Sequence, residues 1–156
     1  DPECEEKQAE ALSVQMLGMA RALADSCSGR LSIVSCWDFE FEEFLRHNPW
    51  APVPEREIQE SGNRAQTEHR AALDALIAQA GIDGEDNVVL HYQGKPDNVI
   101  PKFVEDQAID VLVMGTLART GIPGVTIGNT AENILQKLSC SLLALKPHGF
   151  VSPVKA

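Results

Sequence analysis

Apolar positions along this chain switch between a helical period and short continuous runs. Leu12, Met16, Met19, Ala20 and Leu23 recur at spacings of three and four, which puts them on one stripe of a helix. The pattern predicts a helix from Glu5 to about Ala24, with Gly29 as its stop signal. Leu31 to Trp37 (LSIVSCW) is apolar and bounded by Gly29 and Asp38, so it reads as a strand buried on both faces. Glu55 to Ala80 predicts a second helix, interrupted near Gly62 and clearest at Ala65, Ala72, Leu73, Leu76 and Ile77, with Gly81 closing it. Asn87 to Gln93 (NVVLHYQ) alternates as an edge strand does. Asp97 to about Gln107 predicts a third helix with Val99, Ile100, Phe103 and Val104 inward and Pro101 in its first turn. Val111 to Met114 is a fully buried strand, Asn129 to Leu138 a fourth helix, and Leu142 to Leu145 a last strand.

Helices alternating with short apolar strands specify right-handed crossovers and a doubly wound parallel α/β sheet. The order begins with a helix and supplies four strands, whereas such a sheet needs a strand leading into its first helix. The expectation is therefore a five-stranded sheet whose first strand precedes Asp1. On this reading residues 1–147 form the domain and residues 148–156 a tail.

Asp38 to Pro54 departs from the alternation. This stretch holds Phe39, Phe41, Phe44 and Trp50 among Pro49, Pro52 and Pro54, half of the aromatics in a chain that is 5% aromatic. It reads as a long loop, a length usually reserved for function or mobility. Two roles suit it: a loop fastened to the surface by its rings, or a lid over an apolar, lipid-like ligand.

Composition narrows the function. The net charge of -10 argues against a nucleic-acid backbone as partner, which calls for clustered Lys and Arg. No apolar run reaches the roughly 20 residues that span a bilayer, and no charged-then-apolar leader stands at the start, so the expected location is cytoplasmic, away from the membrane. Cys4, Cys27, Cys36 and Cys140 form no CxxC pair and have no histidine at metal-ligand spacing. They read first as small hydrophobes in a reducing compartment, with redox or metal chemistry as the alternative. His47, His69, His91 and His148 are scattered, and no nucleophile–base pair can be assembled from neighbouring positions. There is no Walker lysine and no GxGxxG. The expectation is a protein without a catalytic or metal site.

Chemistry concentrates in Gly115 to Glu132 (GTLARTGIPGVTIGNTAE), a Gly-rich loop leaving a strand and entering a helix. In open α/β sheets ligands bind beyond the carboxyl ends of the strands. Asn129 suits the N-cap, and Glu132 three residues on makes a near capping box. First-turn amides and the helix dipole would form an anion site there, with Arg119 adding a charge-assisted contact. The alternative is that the glycines permit a tight turn and Arg119 is solvated.

Asp110 to Pro147 resembles the C-terminal signature of universal stress proteins. Nucleotide-binding members of that family carry Gly-x-x-Gly, nine residues, then Gly-Ser or Gly-Thr. Here Gly115 and Gly128 stand at the matching positions, with the interval Arg119 to Ile127 intact. Gly94 to Ile100 resembles the family's third-strand exit, and Asp1 the aspartate that ends its first strand. The GTxxRTGI…GNTAE wording and the Phe150–Pro153 tail most resemble the second domain of tandem, E-type members. The resemblance implies a Rossmann-like universal stress protein fold, a stress-response role, and ATP or AMP as ligand. It also implies pairing through the last strand, Ser141 to Leu145, in a homodimer or with an upstream tandem domain. The candidate site it implies is Asp1, Cys36, Met114, Gly115, Thr116, Ala118, Arg119, Gly128, Asn129 and Thr130. Two residues depart from the pattern: Ala118 replaces the second glycine and Asn129 the Ser or Thr. A Cβ at Ala118 crowds a phosphate, and Asn129 lacks the small hydroxyl, each worth about 1 kcal/mol. The leading expectation is thus a non-catalytic stress-response module. An ATP-binding domain with weak hydrolysis and an apolar-ligand carrier are the alternatives.

Overall fold

The computed structural model of the chain describes residues 2–39, 42–50, 52–82, 87–116 and 128–149. In chain order these form α1 (Pro2–Ser26), β1 (Leu31–Trp37), α2 (Glu42–Arg46), α3 (Glu55–Gln79), β2 (Asn87–Gln93), α4 (Pro96–Asp106), β3 (Val111–Gly115), α5 (Asn129–Lys137) and β4 (Ser141–Leu145). The alternation expected from the sequence is present, and the four strands stand where the apolar runs put them.

The strands pair in parallel as β1 with β2, from Leu31↔Asn87 to Trp37↔Gln93, and as β3 with β4, from Val111↔Ser141 to Gly115↔Leu145. The sequence supplies four of the five strands expected for the sheet, and those four do not form one continuous sheet among the described residues. They make two separate two-stranded sheets, and each of the four strands keeps one unpaired edge among those residues. The physical reason is that none of the described strands lies between β1 and β3.

Each sheet has its own core. Leu17 of α1 and Leu73 of α3 bury with Leu31 and Ile33 of β1 and with Ile82, backed by Val89 of β2. On the opposite side Met114 of β3 buries with Ala131 and Ile134 of α5, backed by Ile100 of α4 and by Leu112, Leu138 and Leu142. Ile134 is 2% exposed. Rings on the other face of β2 meet α4, with Tyr92 and Phe103 centroids 6.3 Å apart. Helices therefore cover both faces, as a doubly wound fold requires. One strand is less enclosed than expected: Val111 at the start of β3 is exposed, because the strand emerges there from the turn after α4.

Helices α1, α3 and α4 end alike. In each, an amide reaches back five residues: Gly29 to the Ala24 carbonyl, Ile82 to Ile77, and Ile109 to Val104. The residue before it takes a left-handed conformation, at φ 52 for Ser28, 67 for Gly81 and 48 for Ala108. This is the C-terminal motif that prefers glycine at the left-handed position. The sequence put the stop of α1 at Gly29, but the strained position is Ser28 one residue earlier.

Three further expectations are corrected. The segment after β1 is not wholly loop, because α2 forms in it, with Arg46 bonded to Glu42 in its first turn and to Glu55 at the start of α3. Helix α3 runs through Gly62 without a break, since one glycine costs about 1 kcal/mol against burial of Ile58 and Leu73 on either side of it. Pro101 lies inside α4, beyond its first turn. Its missing N–H frees the Asp97 carbonyl four residues back, and Lys137 Nζ of α5 donates to that oxygen at 3.0 Å. Asn133 adds a 3.2 Å bond to the Asp97 carboxylate, so the defect in α4 is used to fasten α5.

Candidate functional site

All four strands run parallel within their sheets, so Trp37, Gln93, Gly115 and Leu145 mark the carboxyl ends where a ligand crevice is expected. At the end of β3, alternation sends Met114 and Gly115 to opposite faces. Met114 is buried in the core with Ala131 and Ile134, so it positions α5 rather than offering itself to a ligand. A Cβ built on Gly115 would stand 3.0 Å from Leu12 Cδ2 of α1. The glycine is therefore required by the approach of α1, a reason the phosphate-loop motif did not suggest.

Thr116 is 3% exposed. Its amide donates to the Leu145 carbonyl at 3.0 Å and its hydroxyl to the same oxygen at 3.3 Å. The hydroxyl is committed to joining the ends of β3 and β4. Gly128, not Asn129, is the N-cap of α5: it is extended at φ -71, ψ 151, its carbonyl accepts the Glu132 amide at 2.9 Å, and no side chain caps the helix. The one-residue shift puts Asn129 and Thr130 inside the first turn, exposed, with the capping-box geometry unrealised. Ala131 and Ile134 pack on Met114 near the end of β3, and the first-turn amides of an uncapped helix carry partial positive charge.

Cys36 sits in the other sheet, half-buried on β1 beside the end of the strand. Burial pushes its thiol pKa up, which keeps it a neutral, poor nucleophile. Cys36 and Cys140 are free and half-buried, and Cys27 is free and exposed. Of the candidate residues, Met114, Gly115 and Thr116 stand at the end of β3, and Gly128, Asn129 and Thr130 at the start of α5, which packs on Met114. Asp1, Ala118 and Arg119 lie outside the described residues.

The sequence reading passed over two features. Lys146 follows β4 directly, half-buried beside the β3 exit by register, and burial lowers its pKa from the ordinary lysine value. A lone lysine after an apolar strand gave no signal in sequence. The other is a histidine pair: His69 Nδ1 and His91 Nε2 lie 2.8 Å apart, 22 residues apart in sequence and therefore invisible as a motif. Of the aromatics expected in a lid, Phe41 lies outside the described residues. Trp50 is 93% and Phe44 64% exposed, while Phe39 turns toward α3 at Gly62. Among the described residues no three metal-ligating side chains cluster, and no helix is long and apolar enough to cross a membrane.

The model of the universal stress protein family matches residues 10–146. The chain belongs to the universal stress protein family. Universal stress protein E of Photorhabdus laumondii is 40% identical over 89 residues, which cover 57% of this chain and 28% of that one. The chain thus spans under a third of that relative's length. Among solved structures, a protein of unknown function from Pseudomonas aeruginosa PAO1 is similar at 28% identity with a TM-score of 0.57, over 83% of this chain and 38% of that one. A universal stress protein solved in complex with cAMP is similar in fold, at a TM-score of 0.54 and 19% identity, over 88% of this chain and 90% of that one. The α/β universal stress protein fold expected from the sequence is thereby established.

Proposed function

We propose that this universal stress protein domain is a non-catalytic module that reports stress through a small phosphate-bearing ligand, ATP or AMP, held past the ends of β3 and β4. The observation that carries this reading is the first turn of α5: it lacks a side-chain cap, and Ala131 beside it packs with Ile134 on Met114, one residue before the end of β3. Such a turn offers amides and a positive dipole end to an anion, with Lys146 beside the same exit. Ala118, Arg119 and Asp1 join this site by resemblance alone. The cAMP seen in the related structure supports a nucleotide as the class of ligand.

Two features of the assembly belong to the same reading. Among the described residues, the unpaired edges of β1 and β3 suit one more parallel strand between them. The free edge of β4 suits pairing with a second copy or a tandem domain, and sedimentation equilibrium tests the former.

The deciding experiment is calorimetric titration of Mg-ATP into the wild type and into Ala118→Gly/Asn129→Ser. At about 1 kcal/mol per restored position, the double variant binds at least tenfold more tightly. No gain in affinity refutes the nucleotide reading of this loop.

A further inference from the structure

Two of the four histidines meet between α3 and β2. The His69 and His91 rings have centroids 5.0 Å apart and planes inclined by 20°. That separation is what two rings touching nitrogen to nitrogen at 2.8 Å require, so they meet edge to edge rather than face to face. A bond of this kind holds one proton: one nitrogen donates N–H, and the other must present a lone pair. The pair exists with a net charge of zero or one. Adding the second proton turns both nitrogens into donors and replaces attraction by repulsion.

The location gives this chemistry a mechanical consequence. His69 belongs to α3 and His91 to the edge strand β2, so the bond clasps a helix to a strand. His91 also lies against Trp37, the last residue of β1, with centroids 6.0 Å apart. Trp37 is buried, and its carbonyl accepts the Gly94 amide at 2.9 Å. Beneath the clasp α3 and β2 leave a groove of about 640 Å³ whose walls include Gln66, Thr67, Arg70, Asp74, His91 and Tyr92. From α3, the charged groups facing His91 are Arg70 and Asp74, paired with each other at 2.9 Å. From β1 the facing group is the uncharged Trp37 ring. Beyond the end of β2, Glu42 of α2 accepts a bond from Gln93 at 3.5 Å.

We propose that His69 and His91 form a proton-operated clasp, which holds α3 on β2 while the two rings share one proton and releases the helix when both are protonated, widening the groove and uncovering Trp37. Burial is the main cause that lowers the His91 pKa below the ordinary value, followed by the positive charges of His69 and Arg70, with Asp74 opposing. The clasp accordingly stays shut at neutral pH and opens in mild acid. This inference is independent of what occupies the β3 crevice.

The test uses the whole chain carrying Trp50→Phe, which removes the exposed indole and leaves Trp37 as the sole tryptophan reporter. Imidazole proton resonances are followed by NMR from about pH 7.5 to 4.5, bracketing the ordinary histidine value. Trp37 fluorescence and amide exchange of α3 are followed alongside. The clasp predicts a His91 midpoint below that of a free histidine, with Trp37 fluorescence and α3 protection changing at the same midpoint. In His69→Gln the His91 midpoint rises by at least about half a unit, because the charged neighbour is gone, and α3 stays protected. His91→Gln, in which the amide still meets His69, removes the acid-induced loss of protection as well and serves if the first variant does not fold. Unchanged His91 titration in His69→Gln, or acid-induced opening of α3 that persists in both variants, overturns the proposal.

Discussion

Replacing Gly115 by alanine separates two reasons for that glycine. If it serves a phosphate, Gly115→Ala weakens ligand binding and leaves stability alone. The structure gives another cost. The new Cβ would stand 3.0 Å from Leu12 Cδ2 and 3.5 Å from its Cγ, so Leu12 has to give by a few tenths of an ångström. Leu12 is 5% exposed and has little room. Overpacking of this kind costs about 1–3 kcal/mol, and the contact is one methyl against the end of a side chain, which favours the lower end. In a chain of 156 residues a loss of about 1 kcal/mol lowers Tm by about 2–4 °C. Leu12→Ala by itself opens a cavity and costs about 2–5 kcal/mol. In the double variant the alanine methyl enters the space that Leu12 vacated, so the two losses do not add. The coupling is expected at about 0.5–3 kcal/mol, read by urea unfolding of the four proteins. Additivity within about 0.5 kcal/mol refutes the packing account and returns Gly115 to the ligand.

Other expectations follow from the same geometry. Ala108 holds a left-handed φ of 48 without a glycine, so Ala108→Gly raises stability by about 0.5–1 kcal/mol, and an unchanged urea midpoint argues against that strain. Gly62→Ala gains about as much by the opposite logic, since the site is mid-helix and its new Cβ meets Phe39 at an ordinary 3.8 Å. Ile134→Ala, at 2% exposure, costs about 2–5 kcal/mol and loosens α5, so anion binding falls with it; calorimetry and thermal melts check both. For pH, His91 has a folded pKa below its unfolded value of about 6.5. Its contribution is complete above that value and is lost as pH falls through the lower folded pKa. Stability measured from about pH 7 to 5 therefore declines in the wild type and declines less in His91→Gln.

The one-dimensional pattern determined much of this protein. Apolar runs at Leu31–Trp37, Val111–Met114 and Leu142–Leu145 became strands because short β-rich apolar runs bounded by turns pair as strands, and helices between them dictate parallel pairing. Gly115 and Gly128 at family spacing located the β3–α5 junction and the family. What the sequence could not determine depends on contacts between residues distant along the chain. A glycine looks the same whether it admits a phosphate or a leucine, and at Gly115 the arrival of Leu12, 103 positions earlier, decides. Cap positions shift by one residue because a helix starts where its first carbonyl finds an amide, and at α5 that carbonyl belongs to Gly128. Pro101 reads as a first-turn residue until α4 is seen to begin at Pro96, and the oxygen it frees is satisfied by Lys137 from another helix. His69 and His91 carry no mark of each other in sequence. They meet because α3 packs on β2, and a hydrogen bond is a matter of distance in space rather than along the chain.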